Sequence, residues 1–495
     1  MIRYLKAVGV VAGLTLATNL FGFTREVVLA RTFGASADAD AFVTAFTVVS
    51  ACFLIFTAGT VQSAFMPLYQ GLDSSSSAKA RWLFWHSTKT LGVLLVGAVV
   101  LLEAGTQWWM GFLMPGFSPA QIESTSALVK IMAPMVLLLG IGSLLQSVAH
   151  AHQWFAGPAS VPLLNNVVII TFLLVAGGTM GMPGLAAAYL AGALLWWIVL
   201  VPGTWRYLAG DRTAVDRTSW HSLMINLGPL LILLGADQIS ALVQKSLVSD
   251  MESGTIAALN YAAKLEGLPV GIFAAAITTV FFPALIDAMS RGETEMAKDR
   301  FMAGLSGILL CSLPAMALLC LEAESVVRVL FERGNFDSRA SELTSAALVA
   351  YSLGLLPQGL VVYFNRVYFA AQRTTLPMKV GVLSAAIHVV FCWVAVDVIG
   401  YLGIPVGTTL YAIVYAILLL IWMPEIVAIT LRDLTSVMWR PFVASAALVA
   451  VLLWIHFDSN VWGLLWAMLL SGGIYLTMLV ILQEPIIFDR RPALS

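Results

Sequence analysis

Apolar windows of about 20 residues recur along the whole chain, and a helix of that length crosses roughly 30 Å of hydrocarbon. They fall within 7–31, 41–67, 82–104, 126–149, 160–178, 184–203, 222–246, 254–285, 303–323, 343–369, 378–399, 402–424, 440–457 and 461–482. In lipid each main-chain polar group must find its partner inside the segment, so these runs predict helices. Composition agrees: 60% of the 495 residues are hydrophobic, 11% are charged and mean hydropathy is +0.91. A soluble domain has about a quarter charged residues, enough to coat its surface. The expected fold class is an all-α polytopic membrane protein with 14 transmembrane helices. The windows around the first, second, eighth and tenth are long enough to imply tilt, kinks or extension into water.

Lysine and arginine placement sets the expected orientation. The even-numbered connections carry Lys79 and Arg81, then Arg206, Arg212 and Arg217, then Arg291, Lys298 and Arg300, then Arg366, Arg373 and Lys379, then Arg432 and Arg440. The odd ones hold only Arg328, Arg333 and Arg339. With Arg3, Lys6, Arg490 and Arg491 at the ends, the positive-inside rule puts both termini in the cytoplasm. The first apolar run is read as a retained helix, since no small-x-small cleavage site precedes Thr24-Arg25-Glu26. A net charge of -1 without basic runs argues against a nucleic-acid partner. Cys52, Cys311, Cys320 and Cys392 sit inside apolar runs and read as buried inert thiols. His150 and His152, two residues apart on a helix, point their rings to different sides, which disfavours a metal pair. The tryptophans read mostly as interfacial anchors.

The chain also repeats itself at an offset of 219 residues. Ala78-Lys79-Ala80-Arg81-Trp82 recurs as Ala297-Lys298-Asp299-Arg300-Phe301, and Leu102-Glu103-Ala104 as Leu321-Glu322-Ala323. Phe117 recurs as Phe336, Gln153 and Pro158 as Gln372 and Pro377, and Gly184 as Gly403. Upstream, Ala64-Phe65-Met66-Pro67 resembles Val280-Phe281-Phe282-Pro283 after a three-residue shift. Six helices per copy is an even number, so the copies enter the membrane from the same side. Parallel repeats around a central cavity are a transporter arrangement. The expected organisation is 1–218 as one lobe, 219–435 as the second, and 436–495 as two appended helices.

A charge at bilayer depth costs about 2.5–3.5 kcal/mol on insertion scales, so it marks function or a specific partner. The candidates are Arg25, Glu26 and Arg31, then Lys130, Asp237, Lys245, Lys264 and Glu266. Thr18, Gly22 and Arg25 share one helix stripe, with Asn19 and Glu26 beside it; Asn260, Lys264, Gly267 and Gly271 form a comparable stripe. The functional reading is a cationic cavity for an anionic head group such as a diphosphate, which arginine grips as a fork and lysine as a movable point charge. In the structural reading Arg25 and Glu26 pair with each other or with Asp40 and lock the first helix. Arg31, Asp38 and Asp40 are expected at the outer interface. For Lys130, Asp237 and Lys245 both readings stand equally.

Several stretches resemble one family. Asn19-Leu-Phe-Gly-Phe-Thr-Arg-Glu26, Ala30-Arg-Thr-Phe-Gly34, Ala39-Asp-Ala-Phe42 and Ala64-Phe-Met-Pro67 resemble the opening of the MurJ (MviN) lipid II flippases. Leu259-Asn-Tyr-Ala-Ala-Lys-Leu265, Leu330-Phe-Glu-Arg-Gly-Asn-Phe-Asp337, Tyr351-Ser-Leu-Gly354 and Phe369-Ala-Ala-Gln-Arg-Thr-Thr-Leu-Pro377 continue the likeness. The resemblance implies the multidrug/oligosaccharidyl-lipid/polysaccharide exporter fold, alternating access and an undecaprenyl-diphosphate-linked sugar as cargo. Arg25 matches the family's cavity arginine, Glu26 its acidic neighbour, Lys264 its basic position on helix eight, and Asp40 its aspartate near the end of the helix 1–2 connection. Departures from the pattern are Thr18-Asn19 in place of Ser-Arg, Phe53, Leu54 and Ala58 in place of charges on helix two, and Ala263 in place of an acid. This thinner charge set fits export of a related lipid-linked saccharide, such as an exopolysaccharide unit.

The expected function is therefore an inner-membrane flippase for lipid II or a related precursor, not an enzyme and with no cofactor. Arg25, Glu26, Lys264, Asn19 and Asn260 are the expected substrate-binding residues; Asp40, Asp237, Lys245 and Glu266 are expected to gate or couple. Expected partners are the lipid-linked saccharide, membrane lipids and cell-envelope glycan synthesis proteins. A cation-coupled multidrug exporter of the same superfamily is the main alternative, and it would favour intramembrane carboxylates. A membrane glycan polymerase or ligase would need a long outer loop bearing catalytic residues.

Overall fold

The computed structural model describes residues 2–57, 60–214, 235, 237–455 and 460–484, with side chains for all of these except 2–8, 55–57, 60–64 and 274–280. The described residues are helical, with no strand. The chain divides into two compact units, Met1–Ala257 and Ala258–Ser495.

Unit 1 holds α1 (Ile2–Phe33), α2 (Ala37–Thr57), α3 (Thr60–Ser75), α4 (Ser77–Glu103), α5 (Thr106–Leu113), α6 (Pro119–Met132), α7 (Pro134–Ala151) and α8 (Ala156–Leu208). A further helical stretch spans 237–247, and α9 (Thr255–Ser290) begins in the last turn of the unit. Unit 2 continues with α10 (Thr294–Leu321), α11 (Ala323–Phe331), α12 (Ser338–Ser352), α13 (Leu355–Ala370), α14 (Thr375–Ile399), α15 (Gly403–Ile421), α16 (Leu431–Trp454) and α17 (Val461–Ile481). Among the described residues nine helical runs are long and apolar enough to span a bilayer, or ten if α12 and α13, bent by 47°, form one span. One of the nine, Thr375–Glu425, contains two of the expected spans. Most of the expected span 222–246 lies outside the described residues.

The repeat is visible as identical local backbone devices. Ser118 caps α6, its Oγ accepting from Gln121 N at 3.3 Å; 219 residues on, Asp337 caps α12 and accepts from Ala340 N at 2.8 Å. After α7 the main chain closes with Gln153 N donating to His150 O and Trp154 N to Ala149 O, with Gln153 left-handed at φ 60. After α13 the same bonds recur from Gln372 N to Phe369 O and Arg373 N to Tyr368 O, with Gln372 at φ 57. These six-to-one closures satisfy the last carbonyls of each helix. Halfway along α8 the chain breaks at Gly181 (φ 57, ψ -154), and the equivalent Gly400 (φ 65, ψ -148) separates α14 from α15. That conformation is nearly closed to residues with a Cβ, so both breaks fall on glycine.

Each unit buries its own core. In unit 1 Phe65, Tyr69, Leu83, Phe84 and Leu144 pack between α3, α4 and α7. In unit 2 Phe301, Tyr363, Phe364 and Tyr368 join α10 to α13, and two tyrosine hydroxyls donate to main-chain carbonyls, Tyr363 to Phe301 O at 2.9 Å and Tyr368 to Leu419 O at 2.7 Å. The last two helices belong to this unit. Leu448 and Leu452 of α16 pack on Ala317, Lys298 pairs with Asp433 at 2.8 Å, and Glu484 accepts from Ser306 Oγ at 3.0 Å. Their outer faces carry Trp454 and Trp462, 85% and 73% exposed, as suits helices that meet lipid. The four cysteines are free, Cys392 buried and the others half-buried.

Candidate functional site

The polar stripe of α1 meets α8, not solvent. Arg25 Nη1 donates to Asn166 Oδ1 at 3.0 Å, and Nη2 pairs with Glu26 Oε1 at 2.6 Å. Asn166 Nδ2 in turn donates to Thr18 O at 3.1 Å, which fixes the amide so that its oxygen faces the guanidinium. Beneath Arg25 lies the Tyr189 ring, 5.6 Å away, within cation–π range. Two phenylalanines of α2 hold that ring edge-on, Phe42 at 5.4 Å and Phe46 at 5.1 Å. Glu26 is 6% exposed and the Arg25 side chain 18%.

An arginine offers five N–H donors, and this one is not saturated. Its Nε lies buried with no hydrogen-bond partner among the described residues, as does Thr18 Oγ. A buried unpaired donor costs about 1–3 kcal/mol. The cluster is thus a braced cation with an unfilled hydrogen-bonding direction, suited to an anionic oxygen. Asn166 and Tyr189 were not among the residues the sequence singled out. Asn165-Asn166 was a visible signal, two amides inside an apolar span. Tyr189 carried none, since one tyrosine in a membrane helix is unremarkable by type.

Asp40, in the first turn of α2, is buried in protein. It is 3% exposed and pairs with neither Arg25 nor Glu26. Its carboxylate accepts from Gly254 N at 2.6 Å and Ala257 N at 2.7 Å, so it caps the start of α9 from more than 200 residues away. A helix N-terminus presents unpaired N–H groups and a positive dipole end, which makes burial of this carboxylate tolerable. Lys245 adds attraction to the same carboxylate. Arg31 and Asp38 are exposed, as is Asp237 on its helix.

The remaining candidates lie in unit 2 or stay apart from the cluster. Asn260 is half-buried and Lys264, one turn on, is exposed. Glu266 is 5% exposed, with Gln358 nearby. Asn19 and Lys130 are exposed, and Ala58 lies outside the described residues. His152, just past α7, stacks on Tyr207, while His150 faces Phe155 at 5.4 Å.

Comparison with known proteins now decides the family. The family model described as "Lipid II flippase MurJ" matches residues 29–471. The chain belongs to the MurJ family. A probable lipid II flippase MurJ of Rhizobium meliloti is 29% identical over 399 residues, covering 78% of this chain and 74% of the relative. The lipid II flippase MurJ of Burkholderia cenocepacia is 25% identical over 433 residues, covering 84% and 82%. The fold matches a solved MurJ in an inward closed conformation with TM-score 0.83 at 20% identity, over 96% of this chain and 99% of that one. An inward-facing multidrug resistance MATE family transporter of the MOP superfamily follows at TM-score 0.72 and 14% identity, covering 85% and 98%. The chain is therefore a multi-pass membrane protein with the fold that MurJ shares with those exporters.

Proposed function

We propose that this protein is an inner-membrane flippase that carries an undecaprenyl-diphosphate-linked saccharide, lipid II or a related envelope-glycan precursor, from the cytoplasmic to the outer leaflet by alternating access. The observation that carries the reading is the braced Arg25, whose buried Nε has no hydrogen-bond partner among the described residues. A diphosphate oxygen supplies the missing acceptor, and charge-assisted hydrogen bonds of this kind are the strong ones. Lys264, exposed on α9, with its neighbour Asn260, and Asn19 on α1 are the further residues proposed to bind substrate. Glu26 orients Arg25 and competes with the cargo for it, so its grip weakens binding enough for release. Asp40, holding the start of α9, is the residue through which rearrangement of that helix is coupled to α2, with Lys245, Asp237 and Glu266 as further coupling charges.

By the repeat, the lobes are 1–218 and 219–435, with 436–495 following the second copy and packing on it, and both termini are cytoplasmic. The recurrence of caps and breaks at the 219-residue offset supports the first statement, and the distribution of basic residues supports the second. Among relatives, the stronger likeness to MurJ than to the multidrug transporter favours lipid-linked cargo over drug export. The deciding experiment is complementation: cells depleted of their essential lipid II flippase should grow when this chain is expressed. Arg25→Ala should abolish that rescue while the protein remains folded in the membrane, and Arg25→Lys should restore part of it. Rescue undiminished by Arg25→Ala removes the arginine from the site. Failure of the native chain alongside transport of another undecaprenyl-diphosphate sugar reassigns the cargo within the same mechanism.

A further inference from the structure

The 219-residue repeat allows the two units to be laid side by side, and the ends of α7 and α13 break the correspondence. In unit 1 the turn after α7 is packed solid. His152 lies flat on Tyr207 with ring centroids 3.5 Å apart, Tyr69 meets the imidazole edge-on at 6.0 Å, and Asp73 Oδ2 stands 3.8 Å from His152 Nε2. In unit 2 the equivalent of His152 is Ala371, of Tyr207 Ile426, of Arg206 Glu425 and of Trp154 Arg373. The three-residue shift upstream places Met289 where unit 1 has Asp73. The backbone turn is the same, with Gln372 left-handed like Gln153, but the aromatic filling is gone.

What remains is a cavity of ≈ 440 Å³, in the size range of small-ligand sites. Met289, Ala371 and Ile426 give it an apolar floor, and Ser290, Arg373 and Glu425 a polar rim. Arg373 Nη1 and Glu425 Oε2 are 3.1 Å apart, with the side chains 55% and 61% exposed. Exposed pairs of this kind contribute little to stability, so each charge is readily taken over by a new partner. Beside the rim, Ile286 (40%), Phe369 (51%) and Trp422 (37%) are exposed apolar groups, and tryptophan at a span's end marks the headgroup level.

We infer that this pocket binds a membrane phospholipid with a phosphoethanolamine headgroup: the phosphate to Arg373, the ammonium to Glu425, and the start of the acyl chains against Met289 and Ile426. Charge complementarity selects this headgroup. An anionic phospholipid would satisfy Arg373 but set its phosphate near an unanswered Glu425 carboxylate, whereas a primary ammonium brings three N–H donors to that carboxylate. The bound lipid ties together the ends of α9 and α13 and the turn at Met423–Glu425, the task that the His152–Tyr207 stack performs in unit 1. The site shares no residue with the Arg25 cluster and does not depend on what the protein transports.

The test uses the purified full chain in detergent, titrated with short-chain phosphatidylethanolamine, short-chain phosphatidylglycerol or water-soluble phosphoethanolamine, with Tm and native mass spectrometry as readouts. Phosphatidylethanolamine should bind one to one and raise Tm saturably. Phosphatidylglycerol, or phosphatidylethanolamine on the Glu425→Gln variant, should bind about tenfold more weakly, as expected for loss of one charge-assisted hydrogen bond. The double substitution Ala371→His with Ile426→Tyr, which installs the unit 1 pair, should abolish the lipid response and leave Tm without lipid unchanged or raised. Equal responses to the two lipids overturn the headgroup assignment. A persisting response in the double variant overturns the location. Soluble phosphoethanolamine acting as strongly as the lipid overturns a membrane source.

Discussion

The two halves of α8 and the α14–α15 pair occupy equivalent places in the repeat, yet they bury different polar chemistry. Asn165, Asn166, Tyr189 and Gly192 in unit 1 stand where unit 2 has Ser384, Ala385, Thr408 and Tyr411. In unit 1 the amide and the ring hold a guanidinium. In unit 2 His388, at the position of Ile169, approaches Thr408 Oγ1 at 3.2 Å, with Tyr411 stacked on the imidazole at 4.8 Å. Thr408 Oγ1 also donates to Ile404 O at 2.9 Å. One copy therefore holds a guanidinium braced by a carboxylate and an amide, and the other an imidazole beside a hydroxyl. Duplication kept the backbone devices, the caps and the breaks, while side chains at the same sites diverged. A permanent charge at membrane depth costs about 2.5–3.5 kcal/mol, which is why the braced Arg25 is the residue the proposed function rests on.

The largest expected effect tests the shared backbone. A Cβ at Gly403 would stand 2.4 Å from Val396 N and 2.5 Å from Ala395 C, main-chain atoms that cannot step aside. At Gly184 it would meet Met180 Cβ at 2.5 Å, held by its own helix, and the Phe172 ring at 2.6 Å, which can turn aside. Overpacking typically costs about 1–3 kcal/mol. Gly403→Ala should reach about 3 kcal/mol and Gly184→Ala about half that, measured as loss of Tm in detergent. Equal losses would mean the two breaks are packed alike after all.

The polar clusters come next. Asn166→Leu strands a buried guanidinium donor and frees the Thr18 carbonyl, for about 2–3 kcal/mol, whereas His388→Leu removes a contact whose partner Thr408 keeps Ile404 O, for about 1 kcal/mol. Denaturant unfolding of both variants measures the gap. If His388→Leu proves the costlier, unit 2 holds the more demanding cluster and the functional contrast reverses.

Much of this was readable in the sequence, for physical reasons. Spans follow from apolar runs, and the repeat follows from Gln153 with Gln372 and Gly184 with Gly403, letters whose backbone geometry is now seen to coincide. The Arg25–Glu26 pairing was one of two stated options, since adjacent opposite charges in an apolar segment have few other partners. Asp40 was not legible as a cap, because its partners are main-chain N–H groups at Gly254 and Ala257 that no side-chain pattern announces. Nor was the contrast between His152 and Ala371: deletion of a side chain leaves no motif, only a cavity.

A smaller effect distinguishes the two helix ends by pH. Burial holds the His152 imidazole below its ordinary value of about 6.5; Asp73 opposes this and Arg206 adds to it. Asp73 and Tyr69 face the ring from α3, and Tyr207 and Arg206 from α8. Between the ordinary and the lowered value the unfolded chain binds more protons than the folded one, so stability falls as pH drops through that window. His152→Phe, which keeps the stack, should flatten that part of the Tm-versus-pH curve. Unit 2, with Ala371 there, has no counterpart to lose. An unchanged slope would place the dependence elsewhere.

The smallest effect concerns what the two ends share. Gln153 and Gln372 each sit in the left-handed region, which costs a residue with a Cβ about 1–2 kcal/mol relative to glycine. Glycine recovers most of that but adds freedom to the unfolded chain, so the expected net gain is about 0.5 kcal/mol per site. Both ends use the same pair of main-chain bonds, so Gln153→Gly and Gln372→Gly should gain alike, read as a Tm increase in detergent. Gain at Gln153 with loss at Gln372 would mean that the second glutamine, on the wall of the unit 2 cavity, does something there beyond ending a helix. Such a split would separate the two copies at a turn where their backbones coincide.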